Sequence, residues 1–159
     1  MGIQIKLCVE TIRFLQLQVE IYEKEIKKIF DVEYSFVLTI PGISYVTGAI
    51  IIGEIVSIDL FASPDKLIAF AGLDPCVYQS GNYNANNVKI SKRGSSYLRW
   101  AIHTSSSIII YYDKTFADFY AKKRAEGKHH LVALGHVSKK LSRVIFTVLK
   151  NSSTFVPQT

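Results

Sequence analysis

Cysteine, tryptophan, methionine and proline are all scarce in this sequence. Its 159 residues include two cysteines, one tryptophan, one methionine and four prolines. Cys8 and Cys76 lie far apart and match no spacing of a metal-binding or redox motif. We therefore expect a protein of a reducing compartment.

Long hydrophobic runs are also lacking. The most apolar run, residues 46–52, ends at Gly53 and Glu54, far short of the roughly 20 residues that a membrane span needs. Near the N-terminus, Glu10 and Glu20 interrupt any apolar region that could act as a signal peptide. These absences predict a soluble cytoplasmic protein with no membrane partner.

No grouping of side chains predicts a metal site. The aspartates are scattered and do not form the pattern of a two-metal nuclease: Asp59, Asp65, Asp74, Asp113 and Asp118. Three histidines have no cysteine or acid at ligand spacing: His129, His130 and His136. We interpret these histidines as solvated or DNA-facing, and we expect no metal in this chain.

The composition that is present favours a folded, basic protein. Hydrophobic residues make up 48% of the chain and charged residues 20%, which is enough for a core and argues against disorder. The formal net charge is +6 and the isoelectric point is about 9.3. This excess of positive charge favours an anionic partner, although a mildly basic soluble protein without one is the alternative.

Apolar residues near the N-terminus repeat at alternating intervals of three and four. The repeating positions are Ile5, Cys8, Ile12, Leu15, Val19, Tyr22, Ile26 and Ile29. Unbroken heptad spacing over about 25 residues predicts a coiled-coil helix through which the chain forms a homo-oligomer. The alternative is an amphipathic helix that lies on its own domain.

The remaining sequence predicts an all-α protein. We expect a coiled-coil domain at residues 1–32 and a compact helical domain at 33–159, with a break at 31–35. Helices are predicted at 36–39, 44–57, 64–71, 95–112, 115–126 and 129–150. A long polar loop at 74–93 is predicted to contain a small hairpin formed by Val77, Tyr78, Val88 and Ile90.

The Pro41-Gly42 turn lies between two predicted helices, as in a helix-hairpin-helix motif. In such a motif the turn and the N-terminus of the next helix offer backbone N–H groups to a DNA phosphate, here around Gly42 and Ser44. Ser44 stands where the usual motif has a second glycine. A plain corner between two helices is the alternative.

Four basic side chains flank the start of a later predicted helix: Lys89, Lys92, Arg93 and Arg99. Lysine and arginine beside a helix N-terminus can clamp a phosphodiester, so these residues are predicted to bind DNA. A solvated charged loop is the alternative.

In the same polar loop, Ser80 is flanked by Gln79 and Gly81. On the residues alone Ser80 is a turn residue, because no activating base is identifiable beside it.

Taken together in order, these segments resemble the C-terminal domain of the IS-110-type insertion-sequence transposases. The resemblance covers about residues 35–150. It is carried by Ile40-Pro41-Gly42-Ile43, Phe61-Ala62-Ser63, Leu67-Ile68-Ala69-Phe70-Ala71-Gly72-Leu73-Asp74-Pro75, Gln79-Ser80-Gly81, Ile90-Ser91-Lys92-Arg93-Gly94, Tyr97-Leu98-Arg99, Phe119-Tyr120 and Glu126-Gly127-Lys128. Ser95 is a departure, since the family commonly has asparagine after the glycine.

The resemblance implies a function and a set of partners. It implies that Ser80 is the catalytic nucleophile of a DNA transposase that recombines DNA with a guide RNA. It also implies an N-terminal RuvC-like domain that binds a divalent metal, expected to be Mg²⁺, joined through the coiled coil. On this reading the chain is a bacterial, nucleoid-associated fragment that lacks that domain, contains no cofactor of its own and is inactive alone.

A second hypothesis stays open. The chain could be a non-catalytic helix-hairpin-helix module that binds DNA and dimerises. The two hypotheses differ at Ser80, which the first requires near the basic cluster and the second does not need.

Overall fold

The structure, a computed structural model, describes residues 2–75, 79–80, 83–84 and 90–157. The chain divides into two compact units, Met1–Ser35 and Phe36–Thr159. Within the described ranges nearly all regular structure is helical, so the predicted all-α class is confirmed.

The first unit is a long helix. Helix α1 runs over Gly2–Ile29 and has no buried residue. Its last turn carries Lys27 and Lys28, where positive charge complements the helix dipole. Helical backbone continues through one π-helical turn, Phe30–Tyr34, so the predicted break at 31–35 is wrong for most of its length. The wider turn adds a residue per turn without ending the helical path.

Within its described residues, the second unit contains five α-helices and two 3₁₀ turns. The helices are α2 (Tyr45–Ile55), α3 (Pro64–Phe70), α4 (Ser96–Tyr112), α5 (Lys114–Ala125) and α6 (His130–Asn151), and the 3₁₀ turns are Val37–Thr39 and Ile58–Leu60. Each α-helix begins and ends within two residues of its predicted bounds. The predicted helix at 36–39 is a single 3₁₀ turn.

The core of this unit lies around α4 and α6. Helix α4 packs against α2, α5 and α6, and α6 also packs against α3. Fully buried side chains of the two central helices are Leu98, Ala101, Ile102, Ile109, Val137, Leu141 and Ile145. Each large side chain among them contributes about 1.5–3 kcal/mol of burial, so this core fixes the relative positions of the loops that leave it.

Local signals set the helix ends. The carboxylate of Asp113 accepts a 3.0 Å hydrogen bond from the Phe116 amide and caps α5. Gly127, with φ +78°, then turns the chain between α5 and α6. The predicted break at this glycine is therefore confirmed.

A small hairpin lies in the polar loop. Strands β1 (Gln79–Ser80) and β2 (Tyr83–Asn84) pair antiparallel, with Ser80 opposite Tyr83. The predicted hairpin positions Val77, Tyr78 and Val88 lie outside the described residues. Ile90 pairs with Pro75 in an isolated antiparallel bridge.

Among the described residues, no helix combines the length and apolarity that crossing a bilayer requires.

Candidate nucleic-acid interface

Two segments that are distant in sequence pair at the base of the polar loop. Residues 70–75 and 90–95 lie antiparallel, and this pairing is called the clasp below. Its backbone hydrogen bonds run from the Ser91 amide to the Asp74 carbonyl (2.8 Å), from Lys92 to Gly72 (3.0 Å) and from Ser95 to Phe70 (2.9 Å). The Ser91 hydroxyl also hydrogen-bonds the Asp74 carboxylate. The clasp closes the loop that contains the β1–β2 hairpin.

Two glycines allow the clasp to form. A Cβ on Gly94 would lie 2.0 Å from the Phe70 carbonyl oxygen. Gly72 has φ +65°, and a Cβ there would lie 2.9 Å from the carbonyl carbon of Lys92. The two chain segments approach so closely that no side chain fits between them at either position.

The start of α4 is anchored to the clasp. The Ser95 hydroxyl accepts a 3.0 Å hydrogen bond from the Leu98 amide and caps the helix. Asparagine and serine are similarly good at this position, so the departure at Ser95 preserves the cap. One guanidinium nitrogen of half-buried Arg99, Nη1, donates a 3.0 Å hydrogen bond to the Ala71 carbonyl. Arg99 thus ties α4 to the clasp, and this contact orients its side chain inward.

Lys92 and Arg93 are both exposed at the clasp. The Lys92 backbone has φ +55°, an uncommon conformation for a residue with a side chain. The Arg93 amide donates to the Ser91 hydroxyl at 3.3 Å. Two cations therefore lie just before the N-terminus of α4, where the helix dipole adds positive potential.

The structure brings the predicted nucleophile's loop and part of the predicted basic cluster together. The backbone of Ser80 lies in the hairpin that the clasp closes. The side chain of Ser80 and all of Lys89 lie outside what the structure describes. The predicted DNA contacts Lys92 and Arg93 are at the base of the same loop.

The Pro41-Gly42 turn packs on α4, away from the clasp. Gly42 has φ +89°, and a Cβ there would lie 2.6 Å from the Ser105 carbonyl oxygen and 3.1 Å from the Ile109 amide. The Ile43 amide donates to the Ile40 carbonyl at 3.1 Å within the turn. Gly42 is therefore required both for the turn and for close packing.

Ser44 caps α2 with normal backbone geometry. Its φ is −95°, so this position does not need the second glycine of the usual motif. The Ser44 amide donates to the Thr47 hydroxyl at 2.8 Å, and the Thr47 amide donates to the Ser44 hydroxyl at 3.3 Å. This reciprocal capping box already uses two amides of the first turn, and Ser44 remains exposed.

Sequence reasoning missed a lysine of α6 near the clasp. Burial lowers the pKa of Lys139, the Asp74 carboxylate raises it, and Arg143 lowers it. Lys139 is 48 residues after Ser91 of the clasp in sequence. It is nevertheless close enough to interact electrostatically with Asp74, which pairs with Ser91 in the clasp. No periodicity could have paired them, since the contact depends on how α6 packs.

Histidines and lysines gather where α5, α6 and α4 meet. Burial lowers the pKa of His103, and His130 lowers it further. The His130 ring nitrogen Nδ1 lies 2.7 Å from the Tyr120 hydroxyl. Burial also lowers the pKa of His136, followed by the positive charges of Lys123, Lys139 and Lys128, while Glu126 raises it.

Cations outnumber acids in this region. Glu126 is 2.8 Å from Lys123 and 3.5 Å from Lys128. In the ranges the structure describes, no three histidine, cysteine or acidic side chains come together as metal ligands. Positive charge therefore predominates around these histidines.

Comparison with known proteins relates the chain to insertion elements. The family model described as Transposase IS116/IS110/IS902 family matches residues 34–121, more than half of the chain. An uncharacterized 42 kDa protein of insertion element IS900 from Mycobacterium paratuberculosis is 29% identical over 127 residues, which are 77% of this chain and 31% of that protein. An uncharacterized 44.8 kDa protein of insertion element IS116 from Streptomyces clavuligerus is 26% identical over 137 residues, 85% of this chain and 34% of that protein. The chain thus spans about a third of the length of these relatives.

Proposed function

This chain belongs to the IS116/IS110/IS902 transposase family, and we propose that it is the DNA-binding catalytic part of a transposase whose nucleophile is Ser80. The observation that supports the proposal best is the clasp. It joins the two chain segments from which the loop of Ser80 leaves, and it has Lys92 and Arg93 exposed at the base of that loop. The clasp residues also belong to the segments on which the family resemblance rests.

The proposed reaction is a transesterification. The Ser80 Oγ attacks a DNA phosphorus, an O–P bond forms, and the bond from phosphorus to the leaving deoxyribose oxygen breaks. The serine gives its proton to a base and the leaving oxygen takes one up. Because the phosphodiester energy is kept in the phosphoserine, strands can be rejoined without ATP. Negative charge developing on the non-bridging oxygens requires cations, and Lys92 and Arg93 are the described candidates.

A divalent metal and an RNA complete the proposed reaction. We propose that Mg²⁺ is held by acidic residues of an RuvC-like domain elsewhere in the full transposase, since the described part of this chain offers no ligand cluster. We further propose that a guide RNA of the element selects the DNA. The basic net charge of +6 suits two nucleic-acid partners.

Self-association through α1 is part of the proposal. The heptad side chains Ile5, Leu15 and Val19 are each more than half exposed, and no α1 residue is buried. Removing such a row of apolar side chains from water favours a coiled coil between copies. Cys8 lies on the same heptad row and is exposed as a free thiol. In a Cys76→Ser background, oxidation should cross-link Cys8 between parallel, in-register helices and not between antiparallel ones.

The salt dependence of DNA binding tests the interface. Neutralising Lys92 and Arg93 to glutamine should lower the log–log salt slope by up to about 1.8, because each lost phosphate contact contributes about 0.9. The matched control neutralises Lys66 and Lys114, two exposed lysines outside the clasp, and changes the net charge equally. Equal slopes for the two double variants would place the binding surface elsewhere, first at the basic region of Lys123 and Lys128.

The non-catalytic module remains the second candidate. The turn at Gly42 leads directly into the N-terminus of α2 at Ser44, which is the order of elements in a phosphate-binding hairpin. The two candidate functions predict different results for Ser80→Ala. This variant should abolish strand cleavage and preserve DNA binding if Ser80 is the nucleophile.

A further inference from the structure

Helix α4 exposes a row of aromatic side chains. Tyr97 is 69% exposed, Trp100 53%, Tyr111 80% and Tyr112 77%. Tyr97, Trp100 and Tyr111 share one face of the helix with Thr104 and Ile108, because these positions are three or four residues apart. The opposite face holds Leu98, Ile102 and Ile109 in the core. A row of rings on the solvent side of a buried helix is not explained by packing of this unit.

The chemistry of this face suits a polyanion with flat bases. Helix α4 contains no aspartate or glutamate. Its exposed rings are tyrosine and tryptophan, which combine an apolar face with a hydrogen-bonding edge. Among the described residues, none of Tyr97, Trp100 and Tyr111 takes part in a ring–ring contact. The ring faces are therefore available to a ligand.

The row begins beside the predicted phosphate contacts of the clasp. At the start of α4, Lys92 and Arg93 lie within five residues of Tyr97 in sequence. Near the middle of α4, the Pro41-Gly42 turn packs against Ser105, with Ile108 at its edge. Tyr111 is 14 residues after Tyr97, which corresponds to a rise of about 21 Å along the helix. A strand held by cations at the clasp and laid along α4 would meet Tyr97 and Trp100 first, and Tyr111 after Thr104 and Ile108.

We propose that the exposed face of α4 is a stacking platform for a single-stranded nucleic acid. Bases unstacked from a duplex or an RNA lie on Tyr97, Trp100 and Tyr111, and the cations at the clasp hold the phosphates. The platform rests on the proposed nucleic-acid function and adds to it the single-stranded form of the ligand. Stacking is sequence-tolerant, because every base offers a flat face.

Trp100 makes the platform directly observable, because it is the only tryptophan of the chain. Its fluorescence should be quenched when oligo(dT) or oligo(rU) binds, and much less by a duplex of equal charge or by heparin. Separate titrations with oligo(dT) and oligo(rU) distinguish single-stranded DNA from single-stranded RNA as the ligand. Binding is measured in parallel by the anisotropy of a labelled strand.

Substitutions separate stacking from charge. Trp100→Leu should weaken oligo(dT) binding about 5- to 150-fold, the range for loss of one stacked base, while Trp100→Phe should retain most of the affinity. Leu131→Ala is the control, since Leu131 is an exposed apolar residue on α6, at 58% exposure. It should leave affinity and quenching unchanged. Both Trp100 variants should keep the same salt slope, because no phosphate contact is removed.

Each negative result would overturn a stated part of the account. Binding of oligo(dT) at wild-type affinity by Trp100→Leu, or binding without quenching, would overturn the platform and leave the proposed function standing. A failure to bind both single strands and duplex would overturn the proposed function together with the platform. Trp100 fluorescence could instead be quenched as the protein concentration rises without nucleic acid, with a matching shift in sedimentation. That result would identify the exposed face of α4 as a contact between copies of the chain and overturn the platform.

Discussion

Gly94→Ala tests whether the two segments of the clasp form a close backbone contact. The added Cβ would lie 2.0 Å from the Phe70 carbonyl oxygen, 2.7 Å from its carbon and 3.0 Å from the Gly72 amide nitrogen. All three neighbours are backbone atoms, so no side chain can move aside. The segments must separate by about 1 Å or more for the contacts to become ordinary ones.

That separation breaks the nearest backbone hydrogen bonds. The Ser95–Phe70 bond of 2.9 Å and the Lys92–Gly72 bond of 3.0 Å flank the clash. At about 0.5–1.5 kcal/mol each, their loss lowers the free energy of unfolding by about 1–3 kcal/mol. For a chain of this size that is a fall in Tm of roughly 2–12 °C.

A second glycine supplies the matched control. Gly135 lies inside α6, and a Cβ there would meet nothing within 4 Å. Gly135→Ala should raise the free energy of unfolding by about 0.5–1 kcal/mol, because alanine restricts the unfolded chain. Differential scanning fluorimetry and urea unfolding measure both variants. If Gly94→Ala were as stable as wild type, the clasp would not be a close backbone contact and the argument would fail.

Two further changes probe the first unit and the histidines. Leu15→Glu with Ile26→Glu places charge on two heptad positions and should shift the protein toward monomer in sedimentation velocity; unchanged sedimentation would refute a coiled coil through α1. The pKa of His136 is lower in the folded state than in the unfolded state, where it is about 6.5. When the pH falls below about 6.5, the unfolded state therefore binds more protons than the folded state. Stability should therefore be complete above about pH 6.5 and fall as the pH drops toward the folded value, and His136→Gln should remove that part of the fall. A variant whose stability declines with acid as steeply as wild type would contradict the assignment.

The helices were predictable because their signals are local. Ser44, Asp113 and Gly127 mark helix ends through hydrogen bonds or φ values that depend on a few neighbouring residues. The turn at Phe30–Tyr34 was missed, because a π-helical turn has no spacing that the sequence displays.

The site was predictable in part. The sequence grouped Lys92 and Arg93, and the structure has both exposed at the clasp. It could not pair residues 70–75 with 90–95, since those contacts are between backbone atoms and depend on chain closure. The inward contact of Arg99 with Ala71 was hidden for the same reason. The exposure of Trp100 and Tyr111 could not be predicted, because hydrophobicity alone does not separate a ring in the core from an exposed one.

The central claim is that Ser80 attacks DNA. The most direct measurement traps the full-length transposase on DNA, together with the guide RNA and Mg²⁺ that we propose, digests the complex, and locates the modified residue by mass spectrometry. The account predicts a phosphodiester adduct on Ser80 that disappears in Ser80→Ala and persists in Ser96→Ala, an exposed serine at the start of α4. Strand cleavage by Ser80→Ala at the wild-type rate, or an adduct on another residue, would contradict it.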